Sequence, residues 1–140
     1  MDFRDHKLYV DWMDIDALCL DIANDAKHLS ITKVIGISRG GLIPGVIVSH
    51  MLNVPFEPVA WQTRDGYEQD AIAVANNNQE TTLFIDDICD SGLTMDDVAE
   101  LAPLAKRAVL LNKRNDMGID IIGQALYNVD EWVIFPWEAE

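Results

Sequence analysis

A parallel α/β sheet with helices wound on both faces is the fold class this sequence predicts. Three observations point to it. Apolar, β-branched runs alternate with segments of helical spacing along the chain. The middle runs, "KVIGIS" (Lys33 to Ser38), "TTLFID" (Thr81 to Asp86) and "KRAVLLNK" (Lys106 to Lys113), are nearly continuous in apolar residues, as strands covered on both faces are. The chain has 140 residues, enough for one domain with a sizeable core, and no internal repeat or linker divides it.

The elements follow in order. "KLYVDW" (Lys7 to Trp12) reads as a short strand. "MDIDALCLDIANDAKHL" then places Ile15, Leu18, Cys19, Ile22 and Ala26 at helical spacing, with Asp14 as the expected N-cap. The strand "KVIGIS" ends in "RGG". After it comes "LIPGVIVSHML", a helix apolar on most sides that tolerates Pro44 in its first turn. "FEPVAW" (Phe56 to Trp61) is another strand, and Gln62 to Glu80 has no clear period and reads as a long loop. Beyond "TTLFID" the chain is expected to have left the strand when it meets Asp86, Asp87 and Asp90, with Cys89 inside that acidic loop. The helix "MDDVAELAPLA" and the strand from Lys106 follow, and the C-terminal "DEWVIFPWEAE" is an apolar run broken by Pro136.

Composition removes several function classes. Lys and Arg number 10 against 24 Asp and Glu, a formal net charge of −14. Such a chain lacks the electrostatic footprint for a nucleic-acid backbone or an anionic membrane, so neither is an expected partner. Any phosphate must be held locally, by backbone N–H groups, a few placed cations or a metal ion. Cys19 and Cys89 are far apart, and with His6, His28 and His50 they form no zinc signature. The opening "MDFRDHKLYV" is charged, unlike a signal peptide, and "LIPGVIV" is too short to span a bilayer. A cytoplasmic location with reduced thiols is expected.

Two loops carry the chemistry. In open α/β sheets, ligands bind beyond the carboxyl ends of the strands, where "SRGG" and "DDICDSGLT" both lead into helices. Together they offer backbone N–H groups and two helix N-termini to one anion. "DSGLT" supplies two hydroxyls, Ser91 and Thr94, and a glycine that permits close approach, which suits one phosphate group. The carboxylates must face something else, either a vicinal diol or a hydrated divalent cation such as Mg²⁺. Complementing a helix dipole accounts for one or two Asp, not for three with the hydroxyls beside them. In "SRGG" the glycines alone would make a tight turn, and Arg39 adds a fork of donors that matches phosphate oxygens.

"LFIDDICDSGLTM" resembles the ribose-phosphate motif of type I phosphoribosyltransferases, and "ISRGGLIPG" resembles their pyrophosphate loop. "EWVIFPWE" is similar to the base-binding end of the bacterial xanthine-guanine members, and "LLNKR" to the strand end that carries a purine-contacting lysine. The resemblance covers Tyr9 to Glu138. It implies one phosphoribosyltransferase domain over residues 1–140, with a small hood for the base made by the terminal segments. It also implies transfer of a 5-phosphoribosyl unit from phosphoribosyl pyrophosphate to a purine base, with Mg²⁺ as cofactor and a homodimer or homotetramer as the assembly.

Position by position, the resemblance implies these roles. Asp86 and Asp87 lie beside the ribose hydroxyls and the metal. Asp90 is the candidate general base near the purine ring, and Asp90, Ser91, Gly92, Leu93 and Thr94 form the 5′-phosphate cradle. Ser38, Arg39 and Gly40 form the pyrophosphate loop. Lys113 donates to the 6-oxo group, Trp132 stacks on the base, and the Val133 backbone reads its edge. Asp87 and Glu138 are the metal candidates. Leu93 departs from the pattern, standing where the bacterial xanthine-guanine enzymes have a second glycine. Arg64 and Tyr67 either belong to a lid over the site or lie in an ordinary mobile loop. Without the resemblance, Lys113 would pass for a solvated charge, and Trp132 and Trp137 for caps of the core. Two other functions fit the same fold: a non-catalytic regulator that senses the donor or a nucleotide, and a transferase for a pyrimidine.

Overall fold

The computed structural model describes residues 1–61 and 68–138. The chain opens with a hairpin of β1 (Asp2–Arg4) and β2 (Lys7–Tyr9), whose two-residue turn holds Asp5 and His6 at φ 51° and 62°. Positive φ at both central residues matches the twist of the flanking strands. Helix α1 (Trp12–Ala26) follows. Asp11, not Asp14, is its N-cap: Asp11 accepts the Asp14 N–H at 2.8 Å and Asp14 accepts the Asp11 N–H at 3.0 Å, a reciprocal capping box. The helix starts earlier than its apolar period because Trp12 and Met13 lie on its outer side, and Ile15 is only its first buried residue.

Strand β3 (Lys33–Ser38) leads to α2 (Leu42–Leu52) and β4 (Phe56–Ala60). Within the segment expected as loop stands α3 (Glu68–Ala75), which buries Val74. One buried residue among residues 69–75 is too weak a period to read from sequence. Arg64 and Tyr67 lie outside the described residues. Strand β5 (Thr82–Cys89) is followed by α4 (Leu93–Leu101), β6 (Lys106–Asn112), β7 (Ile121–Ala125) and β8 (Trp132–Ile134). Helix α4 thus begins two residues before the expected Met95 and stops two residues before Pro103, whose ring disfavours helical geometry just ahead of it. The sequence reading held neither β1 nor β7. The latter is a short edge strand carrying Gly123 and pairs only with β6.

Five strands form an all-parallel sheet in the order β4-β3-β5-β6-β7. Helices cover both faces, as predicted. On one side Leu18 and Ile22 of α1 and Val48 of α2 pack over Leu83, Ile85, Ala108 and Leu110. On the other, Val74 of α3 and Met95 and Val98 of α4 pack over Ile35, Phe84 and Val109. Alternate residues of β5 and β6 therefore feed opposite cores, which explains why the runs looked apolar throughout. A separate small sheet, β1-β2-β8, pairs β2 with β8 in parallel, Leu8 opposite Val133. This is the hood, built from both terminal segments. Among the described residues, no helix is long and apolar enough to cross a membrane.

Candidate active site

The strand order reverses between β3 and β5. From β3 the chain crosses to β4 on one side, and from β5 it crosses to β6 on the other. The carboxyl ends of β3 and β5 are thus adjacent at a topological switch point, where a crevice is left uncovered. The two unusual loops meet there. A Cβ added at Gly40 would overlap the Asp87 carboxylate, and one at Gly41 would strike the backbone of Ile37 and the Ile85 carbonyl. Small residues in "SRGG" are what let its backbone touch β5. The Ser38–Arg39 peptide is cis, and the Gly41 N–H returns to the Ile37 carbonyl at 2.8 Å.

Asp86 and Asp87 are in the strand, not in the loop beyond it. β5 pairs with β3 only as far as Ile85 and continues against β6, with Asp86 opposite Val109 and Cys89 opposite Asn112. Main-chain bonding to β6 carries two aspartates, a poor strand former, and buries Cys89 at the strand end. Asp86 accepts the Asp87 N–H at 2.8 Å. Burial, then the neighbouring Asp87 charge, raises the Asp86 pKa well above the ordinary carboxylate value. Burial raises that of Asp87 as well, and the Glu138 charge adds to it. Among the described residues, no Lys or Arg forms an ion pair with Asp86, Asp87, Asp90 or Glu138. The donors are hard oxygens, and their mutual repulsion is what a divalent cation relieves, so the residues fit Mg²⁺. No three His, Cys, Asp or Glu side chains among the described residues form a ready-made cage.

A cavity of about 780 Å³ opens over these strand ends. Arg39, Gly40, Asp87, Asp90, Lys113, Trp132, Val133 and Glu138 all line it. Eight of the predicted residues, from separate segments of the chain, therefore share one cavity. Lys113 follows the end of β6 and its Nζ donates to the Glu131 carbonyl at 2.8 Å, so it is no free solvated charge. Trp132 is 64% exposed and stands on the hood, which removes the core-cap reading for it. Trp137 does pack, stacked on Phe135 at 4.9 Å and tilted against Trp12 at 6.0 Å. Glu138 accepts the Phe135 N–H at 3.1 Å, which turns the C-terminal segment back over the crevice.

Ser38, Asp86 and the stretch Ser91 to Thr94 do not line this cavity. Ser38 ends β3, and Ser91 to Thr94 sit beyond β5 at the start of α4. Gly92 is the α4 N-cap at φ 86°, a left-handed conformation that suits glycine. The first bond within α4 runs from the Asp96 N–H to the Gly92 carbonyl at 2.9 Å, so the amides of Leu93, Thr94 and Met95 precede it. Leu93 N–H is taken by the Ser91 hydroxyl at 3.3 Å. Leu93 itself is exposed, so its side chain leaves that turn uncrowded. Sequence reasoning missed Leu42 and Ile43, which line the cavity because α2 begins at "SRGG". It also missed Arg114, whose Nη1 donates to the Ser91 carbonyl at 2.6 Å. Its one available signal was adjacency to Lys113.

Comparison with known proteins shows which proteins the chain and its fold are similar to. The xanthine-guanine phosphoribosyltransferase of Idiomarina loihiensis is 30% identical over 142 residues, covering 94% of this chain and 87% of that protein. The crystal structure of a purine phosphoribosyltransferase from Pyrococcus horikoshii superposes with a TM-score of 0.68 at 21% identity, over 96% of each chain. A Helicobacter pylori xanthine-guanine-hypoxanthine phosphoribosyltransferase gives 0.69 at 15% identity, over 96% of this chain and 95% of that one. With residues 10–110, from just after β2 into β6, matching the family model for the phosphoribosyl transferase domain, this chain belongs to that family.

Proposed function

We propose that the protein is a purine salvage transferase acting as a single domain over residues 1–140. It moves the 5-phosphoribosyl unit of phosphoribosyl pyrophosphate to a ring nitrogen of a 6-oxopurine: hypoxanthine, guanine or xanthine. One observation carries the reading. Lys113, Trp132 and Asp90 reach a single cavity from three different elements, at the strand ends where Arg39 and Gly40 also stand. An ammonium, a flat indole and a carboxylate in one cavity match a 6-oxo group, a purine ring and its departing proton. A small pyrimidine would leave much of that space empty.

The motif resemblance supports the following roles. Arg39 and the Ser38–Gly40 backbone hold the pyrophosphate. Ser91, Gly92, Leu93 and Thr94 hold the 5′-phosphate through amides and hydroxyls. Asp87, which lines the cavity, faces the ribose diol, and Asp86, which does not line it, accepts the Asp87 N–H beside it. Trp132 stacks on the base, the Val133 backbone meets its edge, and Lys113 donates to its oxygen. As the bond from the ribose to pyrophosphate breaks and the bond to the ring nitrogen forms, Asp90 takes the proton that nitrogen releases. Asp87 and Glu138 would hold Mg²⁺, which supplies charge compensation for the leaving pyrophosphate. Removing Mg²⁺ with a chelator is expected to abolish turnover, and adding it back to restore it. Location in the cytoplasm follows the acidic, thiol-bearing composition. The exposed Val46 and Met51 of α2 favour a homodimer or homotetramer, checked by sedimentation.

The deciding assay offers hypoxanthine, guanine, xanthine, adenine and uracil in parallel with phosphoribosyl pyrophosphate and Mg²⁺. Turnover is expected with 6-oxopurines alone. Asp90→Ala should cut it by about 10²- to 10⁴-fold while donor binding persists. Turnover with uracil in place of the purines overturns the acceptor. No turnover with any base, alongside tight donor or nucleotide binding, points to a regulator on the same fold.

A further inference from the structure

The connection from β6 to β7, residues 113–120, lies against the start of α4 and is tied to it at several points. Arg114 Nη1 donates to the Ser91 carbonyl at 2.6 Å. Its Nε and Nη2 are held by the two carboxylate oxygens of Asp116 at 2.9 and 2.6 Å, a bidentate pair that aims the third nitrogen. The Arg114 N–H donates to the buried Asn112 side chain at 3.1 Å, which anchors the base of this strap to the end of β6. Arg107 secures the far end, donating through Nη1 to the Met95 carbonyl at 2.9 Å and through Nη2 to the Gly118 carbonyl. Met117 fills the space beside Gly92, where an added Cβ would lie 3.2 Å from its sulfur.

The position of the Ser91 carbonyl matters because the Ser91–Gly92 peptide is planar. In a trans peptide the C=O and the following N–H point in opposite directions. Holding the Ser91 carbonyl toward Arg114 turns the Gly92 N–H away from the Arg114 guanidinium, in the loop that opens α4. We propose that Arg114, oriented by Asp116, is a positioning residue: it holds the Ser91–Gly92 peptide so that the loop's N–H groups are preset for the 5′-phosphate. This inference rests on the function proposed above, in particular on Ser91 to Thr94 as the cradle. No direct contact between the guanidinium and the phosphate is required.

The test compares binding of guanosine 5′-monophosphate and guanosine by calorimetry, in the full chain and in Arg114→Ala, Arg114→Lys and Asp116→Asn variants. Their melting temperatures would be recorded in parallel. Arg114→Ala is expected to weaken the monophosphate by about three- to tenfold, the worth of one hydrogen bond, and to leave guanosine unchanged. Arg114→Lys should recover little, since an ammonium cannot bind Asp116 bidentately while reaching Ser91. Asp116→Asn gives the sharpest sign. Removing a negative charge would strengthen anion binding if plain Coulomb attraction governed the loop, whereas loss of aim weakens it. Equal affinities in wild type and Arg114→Ala overturn the inference, as does tighter monophosphate binding in Asp116→Asn. Parallel weakening of nucleoside and nucleotide overturns it too, since the effect would then be general. If wild type itself binds guanosine but gains nothing from the 5′-phosphate, the cradle assignment fails, and the role of Arg114 with it. If Arg114→Ala does not fold, the Asp116→Asn and Arg114→Lys results decide.

Discussion

Single side chains set the terms on which the two loops meet. Gly40 carries no Cβ, and any Cβ there would occupy the space of the Asp87 carboxylate. Gly40→Ala must therefore displace either the loop that carries Arg39 or the acid beside it. The expected result is at least about a tenfold rise in KM for phosphoribosyl pyrophosphate with little change in KM for the base, measured by initial rates. Cys19 illustrates the opposite case, a reactive group made inert. Burial, then the nearby Asp16 charge, pushes its pKa from 9.0 up to about 12, and burial raises Cys89 as well. A thiol whose pKa rises on folding stabilises the native state below the unfolded value. That contribution is lost as pH climbs from 9.0 towards about 12. Iodoacetamide at about pH 8 should therefore label both cysteines in the unfolded chain and neither in the folded one, read by mass spectrometry.

Elements fail or hold as units. The capping box of α1 ties Asp11 to Asp14, and Asp14 also meets the N-terminal ammonium at 3.2 Å. Together with the aromatic contact of Trp12 on Trp137, this fixes the helix against the C-terminal segment that bears Glu138. Asp11→Ala should cost about 1 kcal/mol and lower the melting temperature by about 3–5 °C. The hood strand β8 behaves differently, because Val133 is buried opposite Leu8 while Trp132 faces out into the crevice. Trp132→Ala is accordingly expected to leave the melting temperature nearly unchanged. Loss of stacking should raise KM for the purine by about fivefold to a hundredfold. A large stability loss with unaltered KM would mean that Trp132 is a packing residue after all. The sequence made most of these elements legible, since strands covered on both faces keep long apolar runs. It hid α3, which buries little, and β7, a five-residue edge strand interrupted by Gly123. Aspartate is a poor strand former, so residue type alone argues against a strand at Asp86 and Asp87. The ladder to β6 overrides that preference.

At the scale of the molecule, a net charge of −14 opposes a polyanionic donor. On the function proposed above, binding relies on the local field of Arg39, the loop amides and a metal ion, while the distant charge repels. Raising ionic strength from about 0.02 to 0.2 M at saturating Mg²⁺ screens the long-range repulsion more than the close contacts. The expected outcome is a rise in kcat/KM for the donor, the reverse of what a basic site would show. By itself the amino-acid sequence determined the alternation of strand and helix, the donors and hydroxyls of "SRGG" and "DSGLT" on which the proposed anion site rests, and the exclusion of a basic surface. These are properties of short stretches, written in local residue types. Tertiary structure alone decided that β5 runs on through Asp86 and Asp87, that β2 pairs with β8 to raise Trp132 over the crevice, and that Arg114 reaches Ser91. Each depends on contacts between segments far apart in the chain, whose energies no local pattern records.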